Sequence, residues 1–177
     1  MVQACDSFSV CVDVVIRPCR ECDLPALEWF GLFASHRPLI RRLYEQHRRG
    51  EAVMLVAEVN GEASGQLWIE LACGGAQPLG RIWAVRVLPC LQRRGIGTRL
   101  IAAAEALLLE GGIGRAELSV ETGNPRARHL YELLGYRLVG TFVASHPCDL
   151  PAQDVGTQWV LAKELRAAGP MATGSMP

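Results

Sequence analysis

The segment Gln92-Arg93-Arg94-Gly95-Ile96-Gly97 holds the residues best suited to bind a charged ligand. Gly95 and Gly97 have no Cβ, so the chain can turn sharply there and an anion can come close to the amides. The apolar run from Ile96 onward reads as a helix, and the first N–H groups of a helix lack intrahelical partners and lie at its positive dipole end. Arg93 and Arg94 add charge beside them. Together these parts make a cradle for a pyrophosphate. The same residues can also be read as a tight turn at a helix start with a solvated arginine pair. Two other phosphate motifs are absent. No G-x-x-x-x-G-K-[ST] occurs, and Thr98-Arg99-Leu100 follows Gly97 where a dinucleotide fingerprint needs a third glycine.

A second group lies about thirty residues downstream, in ELSVETGNPRARHLYELLGYRLVG (117–140). Asn124 and Pro125 suit the cap and first position of a helix. Tyr131 stands near the middle of that helix, where an aromatic ring by itself reads as filler between helix and sheet.

The elements that must position these groups follow from periodicity. VDVVIR (12–17) alternates as a strand. Asp23-Leu24-Pro25 is expected to open a helix with Leu27, Phe30 and Phe33 on one face, and a second helix is expected over 36–49 with Leu39, Leu43 and Tyr44 as its stripe. AVMLVAEV (52–59) and GEASGQLWIEL (61–71) flank Asn60-Gly61, the strongest short hairpin signal. GRIWAVRVLP (80–89) is a strand whose apolar period shifts near Ala84–Val85, as at a β-bulge. A long helix runs from Gly95 to Glu110 and stops at Gly111-Gly112, followed by a strand (115–121), a helix (124–135) and two strands (136–144 and 157–165).

The 177 residues fit one domain with a hydrophobic core. The expected division is a flexible leader (1–11), a folded domain (12–166) and a disordered tail (167–177). With 18 basic and 18 acidic residues the chain lacks the electrostatic footprint of a nucleic-acid binder. Seven scattered cysteines do not form a disulfide framework and suit a reducing cytosol. Cys19 and Cys22 form a C-x-x-C, but no second pair with zinc-like spacing follows, so no metal is expected. The first residues, MVQACDSFSV, do not read as a signal peptide, and no run approaches the roughly 20 apolar residues of a membrane span. A cytoplasmic protein without a membrane partner is expected.

With these residues in view, the chain resembles the GNAT superfamily of N-acetyltransferases. Its signature Q/R-x-x-G-x-G/A after a strand is matched from Gln92 to Gly97. Its second signature is an Asn at a strand end, an Ala three residues on, a Tyr in the next helix, then Gly and an aromatic. Asn124, Ala127, Tyr131, Gly135 and Tyr136 match it in order. The resemblance implies the α/β (α+β) GNAT fold, a twisted mixed sheet of six to seven strands, flanked by about four helices and splayed between strands 4 and 5. It implies that the amides of about Arg93, Arg94, Gly95, Ile96, Gly97 and Thr98 hold the pyrophosphate of acetyl-CoA, with Gln92 heading the loop. Backbone groups of Val85 and Val87 would pair with the pantetheine arm as an added strand would. Asn124 would cap its helix and contact the pantetheine, beside Ala127, and Tyr131 would protonate the departing thiolate. A backbone N–H on the fourth strand would stabilise the oxyanion.

The implied activity is acetyl-CoA-dependent acetylation of a primary amine of a small molecule or a peptide or protein, by direct attack in a ternary complex. The protein would act as a monomer or homodimer. The alternative is a catalytically silent CoA-binding regulatory or partner-binding module. The sequence departs from the family at one place. Many members carry Glu on the fourth strand, four residues before the Val aligned with Val87, and here Trp83 stands there. The base is then Glu70, Glu121 or a water chain, though both glutamates can equally be solvated strand residues. Trp68 and Trp83 could line the acceptor cleft, or serve as core or dimer-contact aromatics. His36, His129 and His146 lie in bordering segments and read as surface residues.

Overall fold

A computed structural model describes residues 12–72, 78–143 and 156–166. The leader, the loop at 145–155 with His146, and the tail lie outside the described residues. Alternating apolar stretches form seven strands: β1 (Val14–Pro18), β2 (Ala52–Val59), β3 (Glu62–Ala72), β4 (Leu79–Val87), β5 (Arg115–Glu121), β6 (Arg137–Val143) and β7 (Thr157–Glu164). The stretches of helical period form α1 (Arg37–Arg48), α2 (Ile96–Glu110) and α3 (Pro125–Leu133). Asn60 (φ 50°) and Gly61 (φ 87°) both occupy the left-handed region, as a two-residue hairpin turn requires, and set the register Val59↔Glu62.

The strands form one mixed sheet in the order β1-β2-β3-β4-β5-β7-β6. β4 and β5 are parallel, and the other neighbours are antiparallel. Side chains on alternate positions build a core on each face. Leu67 and Ile69 of β3 pack with Ile82, Leu118 and the α2 residues Leu100 and Ile101. Trp68, between them in sequence, packs on the opposite face with Met54, Val56, Leu27 and the α1 residues Leu39, Ile40 and Leu43.

Two irregularities of the sheet open the site. The β4–β5 pairing extends only over Gly80↔Ala116, Arg81↔Glu117 and Ile82↔Leu118. β4 then continues to Val87 along β3 alone, so the sheet is splayed between strands 4 and 5 as the resemblance implies. The bulge expected near Ala84 is present. Trp68 pairs with Trp83 and Gln66 with Arg86, so β4 carries one residue more than β3, and Ala84 takes φ 50°.

The helix expected after Pro25 does not form. In its place are 3-10 turns at Glu21–Asp23, Ala26–Glu28 and Ala34–His36. Trp29 (φ 43°), Phe30 (φ 57°) and Gly31 (φ 88°) are consecutive left-handed residues, which a right-handed helix cannot contain. Leu27 is buried as its apolar character demands, whereas Phe30 is fully exposed. Asp23 is not a helix cap. Its carboxylate accepts from Arg17 at 2.7 and 2.9 Å and from the Arg20 amide at 2.7 Å. Burial opposes its charge, but the Arg17 and Arg20 hydrogen bonds outweigh this and hold the carboxyl below its usual range.

Candidate active site

The splay beyond Ile82 leaves a cleft on each side, and the two meet at β4 and α3. The first, about 570 Å³, lies on the α2 and α3 side. It is lined by the glycine loop (Gln92, Arg93, Gly95, Ile96, Gly97 and Thr98), by Val85 and Val87, and by Asn124, Ala127 and Tyr131. Arg94 is exposed and is not among the lining residues. The sequence reading did not single out Arg126, Leu130 and Leu133, which also line this cleft. Their signal was available, since they follow helical spacing beside Ala127 and Tyr131.

The loop is built to receive an anion. Arg93 (φ 61°) and Gly95 (φ 78°) turn the chain, and Gly95 becomes the N-cap of α2 without any side-chain cap. The first amides of α2 therefore face the cleft without an intrahelical partner. A Cβ at Gly95 would meet nothing within 4 Å, and one at Gly97 only Val87 Cγ2 at 4.0 Å. Packing within the protein thus does not demand glycine at position 97; the room it leaves belongs to whatever enters the cleft. Gln92 anchors the loop by donating from Nε2 to the Val87 carbonyl at 3.0 Å. This cradle fits the pyrophosphate of a CoA thioester.

The second cleft, about 510 Å³, lies on the α1 side and is lined by His36, Trp68, Trp83, Arg86, Glu121 and Phe142 among others. Val85, Asn124, Ala127 and Tyr131 line both clefts. Asn124 caps α3 as the sequence suggests, its Oδ1 accepting from the Ala127 amide at 3.1 Å. Tyr131 is only 7% exposed, and burial pushes its phenol up to about 12, so it stays protonated at neutral pH. Its ring stands edge-on to Tyr136, with centroids 6.3 Å apart.

Trp68 and Trp83 pack edge to face with centroids 4.7 Å apart. The Arg86 guanidinium lies 4.3 Å from the Phe33 ring centroid. Of the two glutamates, Glu121 is exposed at the end of β5 and lines the second cleft. Glu70 is half-buried between Ala52 and Arg81 in the sheet and lines neither cleft. His36 differs from its reading as a surface residue. It is buried, edge-on to Phe33, and lines the second cleft. His129 is exposed and lines the first.

Cys19 is buried and Cys22 exposed, and both are free thiols. Burial, aided by nearby Asp23, pushes the Cys19 thiol up to about 12, which makes it unreactive near neutrality. Among the described residues no group of three or more His, Cys, Asp or Glu could hold a metal ion, and no helix is long and apolar enough to cross a membrane.

Comparison with known proteins agrees with this architecture. The chain is 34% identical over 110 residues to mycothiol acetyltransferase from Propionibacterium freudenreichii subsp. shermanii, covering 60% of this chain and 35% of that protein. It is 34% identical over 106 residues to the uncharacterized N-acetyltransferase YhfO from Bacillus subtilis, covering 58% of this chain and 70% of that protein. The chain thus spans about a third of the first relative. Among solved structures, Arabidopsis thaliana NAA60 in complex with acetyl-CoA shares the fold, with a TM-score of 0.70 at 17% identity over 88% of this chain and 100% of that one. Ribosomal-protein-alanine N-acetyltransferase from Brucella melitensis does so with a TM-score of 0.67 at 20% identity, over 85% of this chain and 99% of that one. The model of the acetyltransferase (GNAT) family matches residues 21–136, a span that takes in α1, the hairpin, the bulged β4, the glycine loop and α3, and the chain belongs to that family.

Proposed function

We propose that the protein transfers an acetyl group from acetyl-CoA to a primary amine by direct attack within a ternary complex. The observation that carries this reading is the meeting of two clefts at Tyr131, one bounded by the anion cradle and the other by aromatic and charged side chains.

The bound thioester supplies the acyl group and a thiol leaving group; the protein does the rest. The α2 amides, Gly97 and Arg93 hold the pyrophosphate. Val85 and Val87 offer backbone groups on the edge of β4 that β5 does not pair. The bulge also leaves Ala84 and Val85 without partners in the β3 ladder. A backbone N–H of this bulged segment would stabilise negative charge developing on the carbonyl oxygen. Glu121, the carboxylate among the residues lining the acceptor side, takes the proton from the attacking amine, directly or through a water. Tyr131 gives its proton to the departing sulfur.

The test is incubation with acetyl-CoA and a panel of primary amines, following free thiol and the mass of the acetylated product. Tyr131→Phe keeps the ring and should lower turnover on the order of tenfold to a thousandfold, with little change in CoA affinity. Tight CoA binding without thiol release on any amine would refute the reading.

A further inference from the structure

We propose that the acceptor is an α-amino carbonyl compound, such as an amino acid amide or a peptide N-terminus, held by two backbone groups of β5. Its amine donates one hydrogen to the Ser119 carbonyl, and its neighbouring carbonyl accepts from the Glu121 amide. The inference rests on the acyl-transfer reading and deepens it by naming the acceptor class.

The hydrogen-bond ladder shows which way these groups point. In an antiparallel pair, opposed residues alternate between exchanging both backbone bonds and exchanging none. β5 pairs with β7 from Arg115↔Glu164 to Glu121↔Gln158. Just beyond the two ends, the Leu165 amide donates to the Gly114 carbonyl at 2.7 Å and the Thr122 amide to the Thr157 carbonyl at 3.0 Å. The even-numbered residues of β5 therefore bond to β7, and the backbone groups of Glu117, Ser119 and Glu121 point to the opposite edge, toward β4. There the parallel register ends at Ile82↔Leu118, a pair that engages the Glu117 carbonyl and the Ser119 amide. The Glu121 carbonyl accepts from the Asn124 amide at 2.9 Å. The Ser119 carbonyl and the Glu121 amide are left, and neither has a partner among the described residues. Both residues are exposed and line the second cleft.

A continued ladder would give both places to Ala84, its N–H meeting Ser119 and its C=O meeting Glu121. The β4 bulge and the positive φ of Ala84 end the ladder one step short. The vacated slot has a defined chemistry. It takes one donor and one acceptor, spaced as the nitrogen and carbonyl of a single residue. An α-amino carbonyl unit has that spacing, and its nitrogen is the reacting amine. A free amine has two hydrogens and a lone pair, so donating to Ser119 leaves the lone pair for attack on the thioester. The rest of the acceptor then runs parallel to β5, past Glu121 and Asn124 and out of the split. An alkylamine offers Glu121 no carbonyl, and a β-amino carbonyl compound carries it one bond too far out.

The experiment compares alaninamide, β-alaninamide and the alkylamine in which an isopropyl group replaces the amide of alaninamide. Rates are referred to the concentration of neutral amine, so that differences in basicity cancel. Alaninamide should exceed the other two in kcat/KM on the order of tenfold, the weight of one net hydrogen bond. The Glu121 backbone amide is the direct reporter, followed by NMR on protein saturated with free CoA, where binding proceeds without turnover. Alaninamide should move that signal downfield, and the alkylamine should leave it in place. A Glu121 signal unmoved by alaninamide, or equal kcat/KM for alaninamide and the alkylamine, would overturn the inference while leaving acyl transfer intact. Thiol release with none of these amines, nor with the wider amine panel, would instead sink the acyl-transfer reading.

Discussion

Gly97→Asp separates the needs of the fold from those of the ligand. Gly97 is the second residue of α2, its φ is not positive, and a Cβ there would meet only Val87 Cγ2 at 4.0 Å. The folded chain therefore accepts a side chain at this position without strain. Replacing glycine in a helix gains up to about 1 kcal/mol with a good helix former, and an acid in the first turn gains about 0.3–1 kcal/mol from the helix dipole. A domain of this size gains about 2–4 °C in Tm per kcal/mol, so the variant should melt at or a few degrees above wild type. Ligand binding should respond in the opposite direction. Acetyl-CoA at a hundred times its Kd stabilises wild type by about 2.7 kcal/mol, a Tm rise of roughly 5–10 °C. In the variant a carboxylate fills the cradle and repels the phosphates, so this rise should vanish. The assay is a thermal melt with and without acetyl-CoA, supported by calorimetric titration. Gly97→Ala, which adds only a methyl group, should fall between the two. A Gly97→Asp protein that keeps the wild-type ligand shift would refute the cradle; one that fails to fold alone would refute the argument that the space is open.

Glu121→Gln should lower kcat/KM at least tenfold and move the acidic limb of the pH profile, because a mostly protonated amine needs the base most. Glu70→Gln should leave that profile in place, and the reverse result would transfer the role to Glu70. Tyr131 also predicts a stability change at alkaline pH. The unfolded phenol ionises near pH 10 while the folded one holds its proton to about 12, so the unfolded state binds fewer protons in that window. The Tyr131 share of stability, roughly 3 kcal/mol, should be intact below about pH 10 and lost as pH rises toward 12, and this is the difference in alkaline stability loss between wild type and Tyr131→Phe that denaturant melts should show. Gly80→Ala should destabilise by about 1–3 kcal/mol with CoA affinity retained, since its Cβ would lie 2.2 Å from Cδ2 of the buried Leu108. An unchanged Tm would show that Leu108 can swing aside.

Local chemistry made much of this protein legible in its sequence. Strand and helix periods, the Asn60-Gly61 turn, the Asn124 cap and the phase shift at Ala84 all depend on residues within one or two turns of each other. They appear where the pattern puts them. The glycine loop was legible for the same reason, since the loop and the helix start that follows it are contiguous. Long-range pairing decided the rest. Residues 24–33 have a helical stripe, but Arg17 captures Asp23 from β1 and three consecutive left-handed residues replace the helix, so tertiary ion pairing and packing override local propensity. No local rule could place β7 between β5 and β6, or end the β4–β5 pairing at Ile82. Those two facts determine which alternating side chains meet across the split. Glu121 therefore lines the second cleft and Glu70 does not, and His36 is buried in its wall. A carboxylate's residue type is written in the sequence, but the face and strand neighbours that give it a role are set only when distant segments pair.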